Sequence, residues 1–216
     1  MEAEAITKPE TYGIPFRKLS SIDPPKTFSM AFIGSTRSGK STAMLWCWEH
    51  FNLRDQTTIM MTGSPHGEIY GPLRKNSAIC PEFHSELIKD AFKMNMATKN
   101  KYPTTFIFDD MLDGKHSKAL MKLLCVGRNL ACCTLLCAQE LSILNAIGRT
   151  NLNYILCFRL NSDMAVEKVV KNYLRHALPK GTIAYQIGIY KELTTDHRFF
   201  VYDALRNEIF LSKLDL

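Results

Sequence analysis

Several things are missing from this 216-residue chain, and each absence narrows what it can be. No apolar stretch approaches the roughly 18 residues that a membrane-spanning helix needs. The longest, Leu130 to Ala138, has the length of an interior strand. The opening Met1-Glu2-Ala3-Glu4 lacks the basic-then-apolar layout of a secretory leader. The seven cysteines contain no C-x-x-C pair, and five of them (Cys125, Cys132, Cys133, Cys137, Cys157) fall within apolar segments. Buried, reduced thiols are therefore expected rather than disulfides or zinc ligands. Internal repeats and low-complexity tracts are also absent. What remains, 46% hydrophobic and 22% charged residues, suits one well-buried globular domain and leaves little chain for a second.

The pattern of that domain is an alternation. Residues 1–27 are polar and broken by Pro9, Pro15, Pro24 and Pro25, and read as an N-terminal arm. Apolar strands are expected at Phe28 to Ile33, Thr57 to Met61, Thr104 to Asp109, Ala131 to Ala138 and Tyr154 to Leu160. Helical patterns follow Lys40, run from Glu82 to about Met96, and recur near Ser117 to Val126, Leu141 to Ile147 and Asp163 to His176. Near-continuous apolar strands alternating with helices specify an α/β fold, a mostly parallel sheet covered on both faces. That core is expected over residues 28–178. Residues 179–216 change character, and Thr182 to Tyr190, Arg198 to Tyr202 and Glu208 to Ser212 read as strands of a β-rich extension, the last two joined as a hairpin.

Between the first strand and the first helix stands Gly34-Ser35-Thr36-Arg37-Ser38-Gly39-Lys40-Ser41, which fits G-x-x-x-x-G-K-[ST] at every fixed position. A strand leading in and a helix leading out give this phosphate-loop pattern the context it requires. The glycines let successive backbone N–H groups of the loop, through Thr42, surround a phosphate at the positive end of the helix. Lys40 is expected to reach the β- and γ-phosphates of ATP, and the Ser41 hydroxyl to ligate Mg²⁺.

A second element fits the first. Phe106-Ile107-Phe108-Asp109-Asp110 is a buried strand that delivers carboxylates at the sheet edge where ligands of open α/β sheets gather. Asp109 is the expected Mg²⁺ partner, through water, and Asp110 the group that orients or deprotonates an attacking water. The next strand ends at Gln139, which either senses the γ-phosphate or caps a helix. Arg128 precedes that strand, at the edge opposite the loop, so its reach to a nucleotide within one subunit is doubtful. From a neighbouring subunit Arg128, or Arg149, could serve as an arginine finger. There is no N-K-x-D for guanine, since Asn100-Lys101 continues into Tyr102-Pro103, and no arginine-rich lid of a small nucleotide kinase.

The succession of phosphate loop, Asp109-Asp110 strand, Gly127-Arg128-Asn129, the Leu135-Leu136-Cys137-Ala138-Gln139 strand end and Arg149-Thr150-Asn151 resembles the FtsK–HerA superfamily of DNA-pumping ATPases. Its compact form is similar to the genome-packaging ATPases of poxviruses and other large double-stranded DNA viruses. The resemblance spans about residues 28 to 175. It implies a RecA-like sheet with the Gln139 strand between the two motif strands. It also implies a homo-oligomeric ring, pentameric or hexameric, with ATP and Mg²⁺ at subunit interfaces and double-stranded DNA in the channel. Arg128 then becomes the trans-acting finger and Gln139 the polar sensor. Capsid proteins become partners, and the place of action the host cell at the assembling virion. The chain departs from the pattern in having Asp110 where many members have Glu, one methylene longer.

The formal charge of +6 agrees with a polyanionic partner but does not require one. Lys115, Lys118 and Lys122 form one basic helical stripe, and Lys168, Lys171 and Arg175 another. Each is either a solvated helix face or a DNA track. The alternatives to a translocase are a P-loop small-molecule kinase and a nucleotide-gated capsid-assembly protein without turnover.

Overall fold

Met30 and Phe32 pack into one hydrophobic core and Ala31 and Ile33 into another, so the first apolar strand is buried on both faces. The two-residue period of a strand demands this split once helices cover both sides of the sheet. In the computed structural model, which describes residues 11–75, 77–111 and 117–214, eight strands form that sheet. They are β1 (Ser29–Ile33), β2 (Thr57–Thr62), β3 (Ser77–Cys80), β4 (Thr104–Asp109), β5 (Cys132–Ala138), β6 (Tyr154–Cys157), β7 (Arg198–Asp203) and β8 (Glu208–Lys213). Their order is β3-β2-β4-β5-β1-β6-β7-β8. The strands from β3 to β6 pair in parallel, and β7 and β8 add in antiparallel fashion. The strand ending before Gln139 thus lies between the two motif strands, as the resemblance implied.

The helices are α1 (Lys40–His50), α2 (Gly71–Arg74), α3 (Ser85–Ala97), α4 (Lys118–Val126), α5 (Ala146–Thr150), α6 (Asp163–Val169) and α7 (Ile183–Leu193). α1 covers one face with Ala43, Met44, Cys47 and Trp48, over Met30, Ile107 and Leu135. The other face is covered by α3, α4, α6 and α7, whose Phe92, Leu123, Val166 and Tyr190 meet Phe106, Leu136 and Ile155. All seven cysteines are free thiols; Cys80 and Cys125 are half-buried and the other five buried.

Three differences from the sequence reading have physical reasons. Thr182 to Tyr190, expected as a strand, is the start of helix α7. The Thr182 hydroxyl accepts the Tyr185 amide at 3.2 Å as an N-cap, and Gln186, Ile189, Tyr190 and Leu193 bury one face at helical spacing. The β-branched and aromatic content that suggested a strand is overridden by that cap and by packing. The short strand β3 went unrecognised because it is only half-buried and carries little periodicity. Within the arm, residues 11–27 lie against the sheet. Phe16 bridges to Leu211 of β8, Arg17 pairs with Glu208 at 2.7 Å, and Ile14, Leu19 and Ile22 are buried. Residues 1–10 of the arm, and Lys115 of the first basic stripe, lie outside the described residues.

Candidate nucleotide site

The phosphate loop occupies the β1–α1 turn and is fastened to the strands on either side. The Gly34 amide donates to the Ala138 carbonyl at the end of β5 (3.1 Å), and the Ser35 amide to the Arg159 carbonyl just past β6 (2.9 Å). A Cβ on Gly34 would stand 2.6 Å from Cβ of Phe158, so only glycine permits this close passage. Arg37 (φ 63°) and Gly39 (φ 96°) then turn the chain so that α1 starts at Lys40. No side chain caps the α1 N-terminus. Its first N–H groups are therefore left for an anion. Ser41 and Thr42 follow, half-buried, in the first turn, while Thr36 is exposed at the loop tip.

Lys40 is only 4% exposed, and its ammonium donates to the Ser35 carbonyl at 3.0 Å. The Ser38 hydroxyl is buried beneath the loop without a hydrogen-bond partner. A buried cation with one neutral acceptor is costly unless an anion joins it.

Asp109 lies at the end of β4 on the face covered by α1, paired across the ladder with Cys137 of β5. It is 2% exposed and accepts the Tyr70 hydroxyl at 2.6 Å. Burial, then the Asp109 charge, raise the Tyr70 pKa, so this hydroxyl stays a donor. Burial also pushes the Cys137 thiol well up, with the Asp109 carboxylate adding to it. Neutral donors therefore hold the carboxylate, and among the described residues it makes no ion pair.

Asp110 follows in a left-handed conformation (φ 50°), its amide donating to the Cys137 carbonyl at 3.3 Å. Although the residue is exposed, its carboxyl end is partly desolvated against the protein, and this raises its pKa. Lys40 opposes the rise, Asp109 adds to it, and a hydrogen-bonding interaction with exposed Gln139 opposes it. The structure thus brings together Lys40, Asp109, Asp110 and Gln139 at one sheet edge.

The donors fit Mg²⁺. A serine hydroxyl and a buried carboxylate are hard oxygen ligands, and no cluster of three or more His, Cys, Asp or Glu exists among the described residues to form an all-protein cage. Mg²⁺ typically uses one or two carboxylates and completes its shell with water and substrate phosphates.

Arg128 and Arg149 are not at this edge. The Arg128 carbonyl accepts from Thr27, just before β1, and the Arg149 side chain donates to the Leu144 carbonyl at 3.1 Å. With β5 spanning seven residues between Arg128 and the loop, the separation is of the order of 20 Å. Neither arginine completes its own subunit's site. Two residues at the loop escaped the sequence reading. Tyr70 lies between the expected strand at Thr57 to Met61 and the expected helix from Glu82, in a stretch with no motif and no spacing to link it to Asp109. Arg159, exposed beside Ser35, could have been found by extending β6 one step past its apolar run.

Comparison with known proteins agrees with this geometry. The sequence pattern of the poxvirus A32 protein family matches residues 82–212, more than half of the chain. The chain belongs to the poxvirus A32 protein family. The matched segment contains Asp109, Arg128, Gln139 and Arg149; the phosphate loop lies before it. No curated protein sequence matches at a significant level. Among solved structures, the genome packaging NTPase B204 from Sulfolobus turreted icosahedral virus 2, in complex with ATP-gammaS, superimposes with a TM-score of 0.64 at 13% identity, over 89% of this chain and 100% of that one. The B204 DNA-packaging ATPase from Sulfolobus turreted icosahedral virus gives 0.63 at 16%, over 88% and 98%. The pCW3 conjugation coupling protein TcpA gives 0.64 at 13%, over 86% of this chain and 59% of that one. At these identities the structures establish the shared fold. The shared fold agrees with the FtsK–HerA resemblance drawn from the motifs. No helix among the described residues is long and apolar enough to cross a membrane.

Proposed function

We propose that this chain is the motor that drives double-stranded DNA into a viral capsid, hydrolysing ATP at the interfaces of a homo-oligomeric ring. The observation that carries the reading is the division of parts between two sheet edges. A loop with buried Lys40, beside buried Asp109, is a site for a triphosphate, while Arg128 lies at the far edge where only another subunit can use it. The B204 relatives are named as genome-packaging enzymes and one was solved with ATP-gammaS.

In this reading the loop amides and Lys40 bind the β- and γ-phosphates, and Ser41 and Asp109 hold Mg²⁺. When bound, the metal neutralises charge on the phosphate oxygens. Asp110 orients the attacking water and receives its proton at a carboxylate oxygen, Gln139 positions that water beside it, and Tyr70 keeps Asp109 in one orientation. Arg128 of the adjoining subunit stabilises charge as the γ-phosphoryl group departs. Contacts to DNA run to its phosphates and are tolerant of sequence and sensitive to salt. Capsid proteins anchor the ring at the virion.

The test is steady-state ATPase activity with and without double-stranded DNA across protein concentration, beside Lys40→Ala. Stimulation by DNA that rises steeply with concentration and vanishes in the variant supports an interfacial motor. Hydrolysis indifferent to both DNA and concentration would point to a self-contained P-loop enzyme, and stoichiometric binding without turnover to a nucleotide-gated assembly protein.

A further inference from the structure

Strand order fixes the direction in which a nucleotide must lie. Asp109 ends β4, two strands to one side of β1 and its phosphate loop. A triphosphate whose γ end meets Lys40 and Asp109 therefore leaves the loop on the other side, past Thr42 and toward β6, β7 and β8. A cavity of about 450 Å³ lies on that side, within the size range of small-molecule sites. Its walls include Gly39 and Thr42 from the loop side, Phe158 after β6, His197 before β7, and Lys213 and Leu214 at the end of β8.

This cavity is built with rigid parts. The Phe158 ring stacks on Phe199 with centroids 4.5 Å apart, and its carbonyl accepts the buried Tyr190 hydroxyl at 2.5 Å. His197 is exposed, and its Nδ1 lies 3.9 Å from where a Cβ on Gly39 would be. Two successive left-handed residues, Asp196 (φ 53°) and His197 (φ 59°), bring the imidazole there. Neither is glycine, but Asp and His are among the residue types that enter this region most readily. The lining is mainly apolar, and its side chains include no carboxylate or carboxamide that could accept the N1–H and N2–H groups of guanine.

We propose that this cavity is the nucleoside subsite of the phosphate-loop site, that His197 stacks on a purine base, and that shape and stacking rather than base-edge hydrogen bonds decide what enters. The inference rests on the nucleotide-binding reading above and adds the substrate class, purine nucleoside triphosphates without selection between adenine and guanine. A pocket that does not pair the base edge has little with which to reject an alternative purine.

Equilibrium binding by calorimetry tests this with three probes: ATP, GTP and inorganic tripolyphosphate. For the unaltered chain, ATP and GTP are expected to bind within about threefold of each other, and both more tightly than tripolyphosphate. His197→Asn keeps a residue that tolerates the left-handed backbone but removes the ring. It should weaken ATP and GTP by about five- to tenfold and leave tripolyphosphate unchanged, with an unaltered melting temperature. Unchanged ATP affinity in His197→Asn, or equal weakening of tripolyphosphate, would overturn the assignment of His197. ATP binding no tighter than tripolyphosphate would overturn the subsite, and strong preference for one purine would overturn recognition by shape. Lys40→Ala separates the two readings. It should abolish binding of all three probes, and if tripolyphosphate still bound normally the phosphate-loop reading itself would fail.

Discussion

The two edges of the sheet are built to different rules. At the amino edge, Ser29 and Asn153 satisfy one another: the Ser29 amide donates to Asn153 Oδ1 at 2.9 Å, the Asn153 amide donates to the Ser29 carbonyl at 2.9 Å, and the Ser29 hydroxyl donates to the Asn151 carbonyl at 2.9 Å. Buried polar groups closed in this way fix the register of β1 against β6. At the carboxyl edge, Lys40 is buried with one carbonyl, Ser38 Oγ is buried without a partner, and Arg37 and Asp110 adopt left-handed backbone. Left-handed non-glycine residues cost of the order of 1 kcal/mol or more each and persist where surrounding structure enforces them. Left-handed residues also precede the parallel strands, at Asn52, Lys99, Asn100 and Ala131, so strain does not separate the edges. At Ser29 and Asn153 the amino edge closes its buried polar groups on one another, whereas the carboxyl edge keeps a buried cation and a buried unpartnered hydroxyl. On the proposed reading, Arg128, at the first edge, serves the second edge of a neighbouring subunit.

Substituting Arg128 tests that contrast most severely. Arg128→Ala should lower DNA-stimulated turnover by about a thousandfold, the scale of a lost arginine finger. If the residue is supplied in trans, as proposed, mixing Arg128→Ala with Lys40→Ala subunits should restore part of the activity, since some interfaces then combine an intact loop with an intact arginine. No recovery on mixing, together with full activity of Arg128→Ala alone, would break the comparison. Next in size is the amino edge. Asn153→Ala strands the buried Ser29 amide. It should cost about 1–3 kcal/mol in urea unfolding. ATP affinity of the folded fraction should not change; a loss of affinity without a loss of stability would mean the edges are not separate in function.

Tyr70→Phe is a finer probe. It removes the hydroxyl 2.6 Å from Asp109 and little else. Partners that orient a ligating carboxylate are typically worth about tenfold or more in metal affinity. The gain in ATP affinity on adding Mg²⁺ should shrink by that factor, while ATP affinity measured in excess chelator stays constant. Equal losses with and without Mg²⁺ would assign Tyr70 to nucleotide packing instead.

The carboxyl edge was largely legible because its chemistry is local. Gly34 to Ser41 and Phe106 to Asp110 are contiguous, and a parallel sheet brings their ends together whatever the loops do. Tyr70 was not legible, because it reaches Asp109 through a pairing 39 residues away that no period encodes. Helix α7 was misread for the opposite reason. Its Ile183, Tyr185, Ile187 and Tyr190 carry strand propensity, and only the Thr182 cap and packing on β7 reveal the helix. His197 was hidden in the same way, since its importance lies in a backbone turn and in the strand order beyond β6.

The smallest expected effect concerns the basic stripes, which the structure separates. Lys168 and Lys171 are ion-paired to Glu140 and Glu167, at 3.9 and 2.5 Å, and form a solvated helix face. Lys118 and Lys122 of α4 are exposed and have no carboxylate partner among the described residues; Lys122 lies over the Phe92 ring at 5.8 Å. Of these four lysines, Lys118 and Lys122 are the two without an ion pair among the described residues, and on the proposed reading they meet DNA phosphates. The double change Lys118→Glu with Lys122→Glu should reduce the slope of log affinity for DNA against log salt by about two. Basal ATPase should remain, because α4 covers the face of the sheet opposite α1, the helix that carries Lys40. An unchanged salt slope would remove α4 from the DNA path and return both stripes to plain solvated surface.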